Sequence, residues 1–139
     1  MGDRPNEESP AGDDGGTPSG GAYDWYVRGV DLLQAGNPAA AVQVLAHAAA
    51  AEPQARSVRE ALARAQFDSG SYTDARASFA AIVEANPTDD YAHFGLGLAA
   101  ARTGDFRTAV EHLSLAAAMR PELNHYSRAL RLARAGLRS

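Results

Sequence analysis

The residue types that support catalysis or metal binding are scarce in this sequence and stand at the wrong spacing. Four histidines are present: His47, His93, His112 and His125. No two of them form an H-x3-H pair or stand beside a set of acidic ligands, so packing and surface roles are expected and no metal site is predicted. The sequence has no cysteine, which excludes disulfides and thiolate chemistry. With no G-x-S-x-G motif and no P-loop either, we expect a protein that is not an enzyme.

Two short motifs have structural explanations that need no chemistry. The run from Gly95 to Ala100 (GLGLAA) matches the dinucleotide pattern G-x-G-x-x-A, but that pattern requires a preceding strand. Here it lies inside a predicted helix, where Gly97 would be a small packing residue, so no cofactor is expected. Asp89 and Asp90 stand at the predicted start of a helix, where negative charge interacts favourably with the helix dipole.

Composition and charge argue against nucleic acid and membranes as partners. The net charge is -4 and the pI is about 5.5, which gives no general attraction to polyanions. No run of about 18 apolar residues offers a membrane span. The first 21 residues lack the apolar stretch of a secretory signal, so a cytoplasmic protein is predicted. Alanine is abundant and all 13 basic residues are arginine, which is typical of bacterial genes of high GC content.

Residues 1–21 differ in composition from the rest of the chain. They contain five acidic residues, one basic residue and many glycines and prolines. Such a segment cannot bury enough apolar surface to offset the entropy lost on ordering, so a disordered tail is predicted. It would serve as a solubilising leader or, alternatively, as an arm that folds onto the protein's own surface.

From Ala22 onward the sequence repeats with a period of 34 residues and without gaps, in copies at 22–55, 56–89 and 90–123. The aligned sets are Gly36, Gly70 and Gly104; Ala41, Ala75 and Ala109; Leu45, Phe79 and Leu113; and Pro53, Pro87 and Pro121. In each copy a glycine ends one helix, an N-cap residue starts the next, and a proline ends that second helix. The N-cap residues are Asn37, Ser71 and Asp105. Each copy is therefore predicted to be a helical hairpin.

The pattern resembles the tetratricopeptide repeat, which has W-x2-L-G-x2-Y in its first helix, A-x3-F in its second and a closing proline. The matching residues are Trp25, Gly29, Ala41, Ala48 and Pro53 in the first copy, Leu62, Ala63, Ala75, Phe79, Ile82 and Pro87 in the second, and Leu96, Gly97, Ala109, Leu113, Ala116 and Pro121 in the third. The resemblance implies an all-α fold, a right-handed α-solenoid of three helix-turn-helix hairpins.

Several residues depart from that pattern. Arg28 stands where the family prefers leucine, on the outermost helix, where no preceding repeat would cover it. Arg59 and His93 replace the tryptophan, and Gln66 and Ala100 replace the tyrosine. From these replacements we expect looser packing around the second and third hairpins.

Residues 124–139 are predicted to form a capping helix. One stripe carries Tyr126, Leu130, Ala133 and Leu137, and an adjoining side carries Arg128, Arg131, Arg134 and Arg138. One apolar and one charged face suit a helix that covers the last repeat. Phosphate binding by the arginines is the alternative, against which stand the acidic balance of the chain and the lack of interleaved aromatic residues.

The first helix of each repeat supplies a second stripe, at repeat positions 2, 5, 9, 12 and 13, within about 100° of arc. By the family resemblance this stripe lines a concave groove that holds a partner's peptide. The expected groove residues are Tyr23, Tyr26, Val30, Leu33, Arg64, Phe67, Tyr91, Phe94, Leu98 and Arg102. Exposed apolar and aromatic surface of this kind marks interaction sites. The alternative is that several of these residues pack between hairpins or are covered by the tail or a second copy.

The same resemblance excludes one subclass of the family, whose members hold the carboxylate of a partner's C-terminus with lysine, arginine and asparagine. The corresponding positions are Tyr26, Val30, Ala61, Tyr91 and Gly95. We therefore expect a non-catalytic adaptor that binds a protein or peptide partner through an apolar groove. The alternatives are a chaperone-like holder of a hydrophobic client segment and a self-associating, homo-oligomeric module.

Overall fold

Residues 21–139 form seven α-helices and no β-strand in the computed structural model of the chain, which describes this range. The helices are α1 (Ala22–Gln34), α2 (Pro38–Ala51), α3 (Arg56–Asp68), α4 (Tyr72–Ala85), α5 (Asp90–Arg102), α6 (Phe106–Met119) and α7 (Asn124–Arg138). The prediction of an all-α fold built from three hairpins and one further helix is confirmed. The tail predicted for residues 1–21 lies outside the described residues, except for Gly21.

The helices pack in an order that creates an inner and an outer layer. Each helix contacts its neighbours in sequence, and α1, α3, α5 and α7 also contact one another in succession. Helices α2, α4 and α6 contact only the helices next to them along the chain. The odd-numbered helices therefore line the inner, concave side of the solenoid, as expected for stacked hairpins.

The turn within each hairpin follows from a glycine. Gly36, Gly70 and Gly104 have φ angles of +83°, +88° and +84°, a left-handed conformation that only glycine adopts at little cost. The three predicted N-cap positions are confirmed. Of these three residues, only Asp105 makes a capping hydrogen bond. Its side chain accepts from the backbone N–H of Thr108 at 3.1 Å.

The aligned apolar positions of the repeats form the core. Ala41 and Leu45 of α2 are fully buried. Their equivalents and near neighbours in the later hairpins are also buried, namely Ala75, Phe79, Ile82, Ala109, Leu113 and Ala116. The buried residues group into three clusters, and each cluster joins one hairpin to the helix that follows it. Each hairpin thus depends on the next one for a buried face.

Two glycines in α5 permit its close approach to neighbouring helices. A Cβ atom on Gly97 would lie 2.6 Å from Cγ of Leu113 and 3.2 Å from the carbonyl oxygen of Ala109. A Cβ atom on Gly95 would lie 2.4 Å from the Phe79 ring. The contacts with Leu113 and Phe79 are far shorter than van der Waals contact, so helix packing explains the GLGLAA run, which follows no strand.

Three of the departures from the family pattern have surroundings that the structure defines. Arg28 is exposed on α1, consistent with its place at the end of the array. Ala100 is fully buried in the cluster between α5, α6 and α7. The Gln66 Oε1 atom accepts a hydrogen bond of 2.6 Å from Ser78 Oγ. These contacts concern single side chains, so the looser packing expected around the second and third hairpins stays a prediction.

His93, which replaces the family tryptophan, forms a pair with His112. The two rings stack with their centroids 5.2 Å apart, and the two Nδ1 atoms are 3.0 Å apart. The His93 Nε2 atom lies 2.8 Å from the carbonyl oxygen of Pro87 and donates to it. Burial lowers the pKa of His112, since the charged ring is less well solvated there. The pair links α5 to α6, a packing role for both residues.

Helix α7 packs on α6 and α5 through most of its predicted stripe. Tyr126, Leu130 and Ala133 are buried, but Leu137 is 47% exposed, so its predicted burial is wrong. Leu137 lies in the last turn of α7, where the neighbouring Gly136 faces the Phe106 ring of α6 and Leu137 is turned away from it. The Tyr126 hydroxyl donates a 2.7 Å hydrogen bond to Asp90 Oδ2. Burial and this bond raise the pKa of Tyr126.

Candidate functional site

The concave side of the solenoid carries two adjoining pockets, which together we name the concave groove. The first pocket lies between α1 and α3, with one residue of α5, and has a volume of about 250 Å³. It is lined by Tyr26, Val30, Leu33, Gln34, Ser57, Glu60, Ala61, Arg64 and Tyr91. Three different hairpins contribute to it, so it exists only when the repeats are stacked.

The second pocket continues the groove between α3 and α5 and has a volume of about 160 Å³. It is lined by Arg64, Phe67, Asp68, Phe79, Tyr91, Phe94, Gly95 and Leu98. Arg64 and Tyr91 belong to both pockets, which makes the groove continuous. Of the ten residues predicted for the groove, the structure places eight in these two pockets.

The other two predicted residues lie elsewhere. Tyr23 is 75% exposed near the start of α1 and lines a further pocket, which shares Tyr26 and Ser57 with the first. The Arg102 guanidinium covers the rings of Phe67 and Tyr72, at 5.2 and 5.0 Å from their centroids. Arg102 also donates to the Tyr72 hydroxyl. Its cation–π contacts tie α5 to the second hairpin, and they cover one side of Phe67.

Two aromatic residues of the groove also contact neighbouring elements. Phe94 stacks on Tyr126 of α7 with ring centroids 4.6 Å apart and meets His125 edge-on at 5.2 Å. Tyr91 meets Phe79 edge-on at 5.9 Å. Packing between helices, the alternative considered from the sequence, therefore holds for Phe94 in large part. Tyr91 is half-buried and presents its remaining surface to both pockets.

Sequence reasoning missed a pair of carboxyl groups at the first pocket. Glu60 lines the pocket, and its carboxyl group lies within hydrogen-bonding reach of that of Asp89. Burial and the neighbouring Asp89 raise the pKa of Glu60 to about 7. Glu60 stands at position 5 of the stripe, and Asp89 is the residue directly before α5. The sequence did contain a signal for this pair. When repeats stack, the start of the first helix of one repeat lies beside the first helix of the preceding repeat, which here brings Asp89 close to Glu60.

One subclass of the family has lysine, arginine and asparagine at five positions that hold a partner's carboxylate. In this chain the residues at those positions are uncharged, and they lie in the groove. Tyr26, Val30 and Ala61 line the first pocket, Gly95 lines the second, and Tyr91 lines both. Among residues 21–139, no group of three or more histidine, cysteine, aspartate or glutamate side chains could hold a metal ion. Within the same range no helix combines the length and apolar character needed to cross a bilayer.

Comparison with known proteins shows which of them share this architecture. A family model described as tetratricopeptide repeat matches residues 26–90 and 61–124. No curated protein matches the chain in sequence. Similar solved structures include a double mutant of MamA RS-1, the first tetratricopeptide domain of Spaghetti (RPAP3) bound to the HSP90 peptide SRMEEVD, and YrrB, described as having an unusual peptide-binding site.

The structural likeness extends over most of this chain. The TM-scores for MamA, Spaghetti and YrrB are 0.78, 0.80 and 0.77, at 23%, 18% and 21% identity. The matches cover 82%, 89% and 81% of this chain. This chain spans 64% of the MamA chain, 98% of the Spaghetti domain and 58% of YrrB. At these identities the likeness concerns the fold.

Proposed function

We propose that this chain, which belongs to the tetratricopeptide repeat family, is a non-catalytic scaffold that holds a segment of a partner protein in its concave groove. The observation that carries the proposal is the groove itself, two adjoining pockets built by three stacked hairpins. Apolar and aromatic side chains dominate the lining and charged groups are few, as in sites that bind a segment by its side chains. The peptide-bound Spaghetti domain, of similar fold, supports the proposal by analogy.

The structure changes which residues we expect to contact the partner. Tyr26, Val30 and Leu33 of the first pocket, and Tyr91 and Leu98 farther along, are half-buried and present apolar surface to the groove. Half-buried aromatic residues next to aliphatic ones are favoured binding anchors. Phe67 and Phe94 instead help to fix the shape of the second pocket through the Arg102 and Tyr126 contacts.

A matched pair of variants on α1 tests this proposal. Val30→Gln places an amide in the first pocket, whereas Val27→Gln makes the same change on the exposed outer side of the same helix. Partner capture should weaken by about tenfold for Val30→Gln, because a polar group in an apolar contact costs about 1–2 kcal/mol. Tagged protein, incubated with lysate of the source organism and analysed by quantitative mass spectrometry, gives the measurement. Equal capture by both variants would place the binding site outside the groove.

Self-association is a second candidate function, favoured by apolar side chains at both ends of the array. Tyr23 and Val27 are exposed on α1, and Leu132 and Leu137 are 69% and 47% exposed on α7. Contact between the end of one copy and the start of another would cover them. Light scattering at several concentrations distinguishes the candidates, since a stable dimer supports self-association and a monomer supports the groove-binding scaffold.

We also propose that this chain has no catalytic activity and is located in the bacterial cytoplasm. Composition supports the bacterial source, since all 13 basic residues are arginine. A chaperone-like holder of a hydrophobic client segment would use the same groove, and it would differ in binding many unrelated sequences. Fractionation of the source cells, followed by immunoblotting, tests the location.

A further inference from the structure

A buried carboxylate, that of Asp89, lies beside Glu60 of the first pocket. Asp89 is 8% exposed, and its Oδ1 atom accepts a 3.0 Å hydrogen bond from the N–H of Ala92. Its Oδ2 atom accepts no hydrogen bond from an N–H group or an alcohol hydroxyl of residues 21–139, and the group beside this carboxylate is the carboxyl of Glu60. The closest cation is Arg56, whose Nε lies 3.7 Å away, beyond hydrogen-bonding distance. A buried charged oxygen in this state is costly, and such atoms are normally paired.

The carboxyl group of Glu60, on the pocket wall, makes this site more negative. Two ionised carboxylates cannot hydrogen-bond to each other, because neither carries a proton. Burial, the adjacent Asp89 and the nearby Asp90 raise the pKa of Glu60, and Arg56 opposes them only in part. The cation on the pocket wall, Arg64, is 3.5 Å from Asp68 and pairs with it. Tyr126 donates to Asp90, so the site has two carboxyl groups, those of Glu60 and Asp89, beside one arginine, Arg56.

We propose that the partner segment presents a lysine or arginine side chain, which enters the first pocket and pairs with Glu60, next to the buried Asp89 carboxylate. The inference rests on the proposed function and names the chemistry of the partner. A pocket of about 250 Å³ has space for one long side chain. Its aliphatic stem would lie against Val30 and Leu33, and its charged end would donate to the carboxylate of Glu60.

Charge also argues against two other occupants. Residues 1–20 of this chain contain five acidic residues and one basic residue, so the negative pocket repels that segment overall. A second copy could offer the exposed arginines of α7, but these stand along a helix face. The pocket has room for a single side chain, and a whole helix would need to approach through the flanking aromatic residues.

The probe for this inference is a library of random dodecamer peptides displayed with both ends blocked by linker sequence. It is selected at pH 8 against the full chain and against Glu60→Gln and Asp89→Asn, two changes that remove charge but keep size. Asn at position 89 also keeps an oxygen that can accept from Ala92. Glu84→Gln, on the exposed side of α4, is the matched control, and Val30→Gln reports whether binding uses the groove.

The expected result is a basic residue, lysine or arginine, enriched at one position beside apolar residues with the wild type and the control. That enrichment should disappear with Glu60→Gln and Asp89→Asn, and selected peptides should bind these variants about tenfold more weakly. Peptides that depend on Val30 but show no basic enrichment would overturn this inference and leave the proposed function standing. If no peptide depends on Val30, the proposed function fails and the inference fails with it. A dimer that Glu60→Gln dissociates would also overturn the inference, since a second copy would then be the occupant.

Discussion

At the scale of single residues, the groove contains side chains that are poorly placed for stability. Glu60 has a pKa of about 7 because it is partly buried beside Asp89, and the cation nearest to the buried Asp89 Oδ2 atom, Arg56, is 3.7 Å away. Residues that destabilise the folded chain in this way are common at sites selected for binding. The His93–His112 pair differs, since its buried member finds partners for both of its ring nitrogens.

The raised pKa of Glu60 predicts a pH-dependent gain in stability for Glu60→Gln. Between pH 4.5, its ordinary value, and pH 7, the folded chain holds a proton that the unfolded chain has lost. Glu60 therefore lowers the stability of the folded chain as the pH rises through this range. Glutamine cannot ionise, so Glu60→Gln should be more stable than wild type at pH 8, by about 1 kcal/mol at most because solvent screens the half-exposed side chain.

Thermal melts of the two proteins at pH 5 and pH 8 provide the measurement. The difference between them should nearly vanish at pH 5, where Glu60 holds its proton on most folded molecules. Glu84→Gln is the control and should differ from wild type by the same small amount at both pH values. A gain for Glu60→Gln that is equal at both pH values would contradict the assigned pKa.

At the scale of helices, small residues set the distances at which elements pack. Gly95 and Gly97 lie in the same helix and face different neighbours, Phe79 and Leu113. The first repeat uses Gly29 against Leu45 in the same way. The position of Gly97 and Gly29 follows from the repeat pattern, whereas Gly95 is specific to the third repeat.

Gly95→Ala should destabilise the folded chain by about 1–3 kcal/mol, the usual cost of overpacking a core. The added methyl group would lie 2.4 Å from the Phe79 ring, which lies between α4 and α5. Urea denaturation measures the loss. In the Phe79→Leu background, where the ring is replaced by the leucine found at this position in repeats one and three, Gly95→Ala should cost less. An equal cost in both backgrounds would show that the ring contact is not the cause.

The sequence was sufficient to predict helices, turns and the side of each helix that faces the groove, because these follow from a repeat of fixed length. The period places Gly36 and its equivalents after a helix, and places Val30 and Leu98 on one face. The sequence could not predict contacts between residues that occupy different positions of the repeat. Phe94 was expected to be open, and Tyr126 covers it because α7 lies outside the repeat. The His93 and His112 contact spans 19 residues, and the related ring contact of the first copy, between Trp25 and His47, uses a different position of the second helix.

At the scale of the whole molecule, stability and binding both depend on stacked hairpins. Each buried cluster joins a hairpin to the next helix, and the first pocket takes residues from three hairpins. A solenoid of this length has few interfaces between hairpins, so the loss of one interface should destabilise the whole array. An intact groove therefore indicates that the described range is folded.

A chain that ends at Asp89 should fail to fold cooperatively. Without α5 the cluster around Phe79 and Ile82 loses Ala92, Leu96 and Ala99, and its large apolar residues become exposed. Two hairpins then bury too little apolar surface to offset the entropy of ordering. Circular dichroism during urea denaturation checks this, and a sharp transition in the shortened chain would contradict it.

The central claim is that a partner segment binds on the concave side of the solenoid, and hydrogen–deuterium exchange tests it most directly. A peptide obtained from the display selection, or the captured partner itself, is added at saturating concentration to the full chain. The claim predicts that slowed exchange and the largest amide shifts in matched NMR spectra lie in α1, α3 and α5, around Val30, Arg64 and Tyr91. Changes confined to α2, α4 and α6, or to the exposed face of α7, would contradict it.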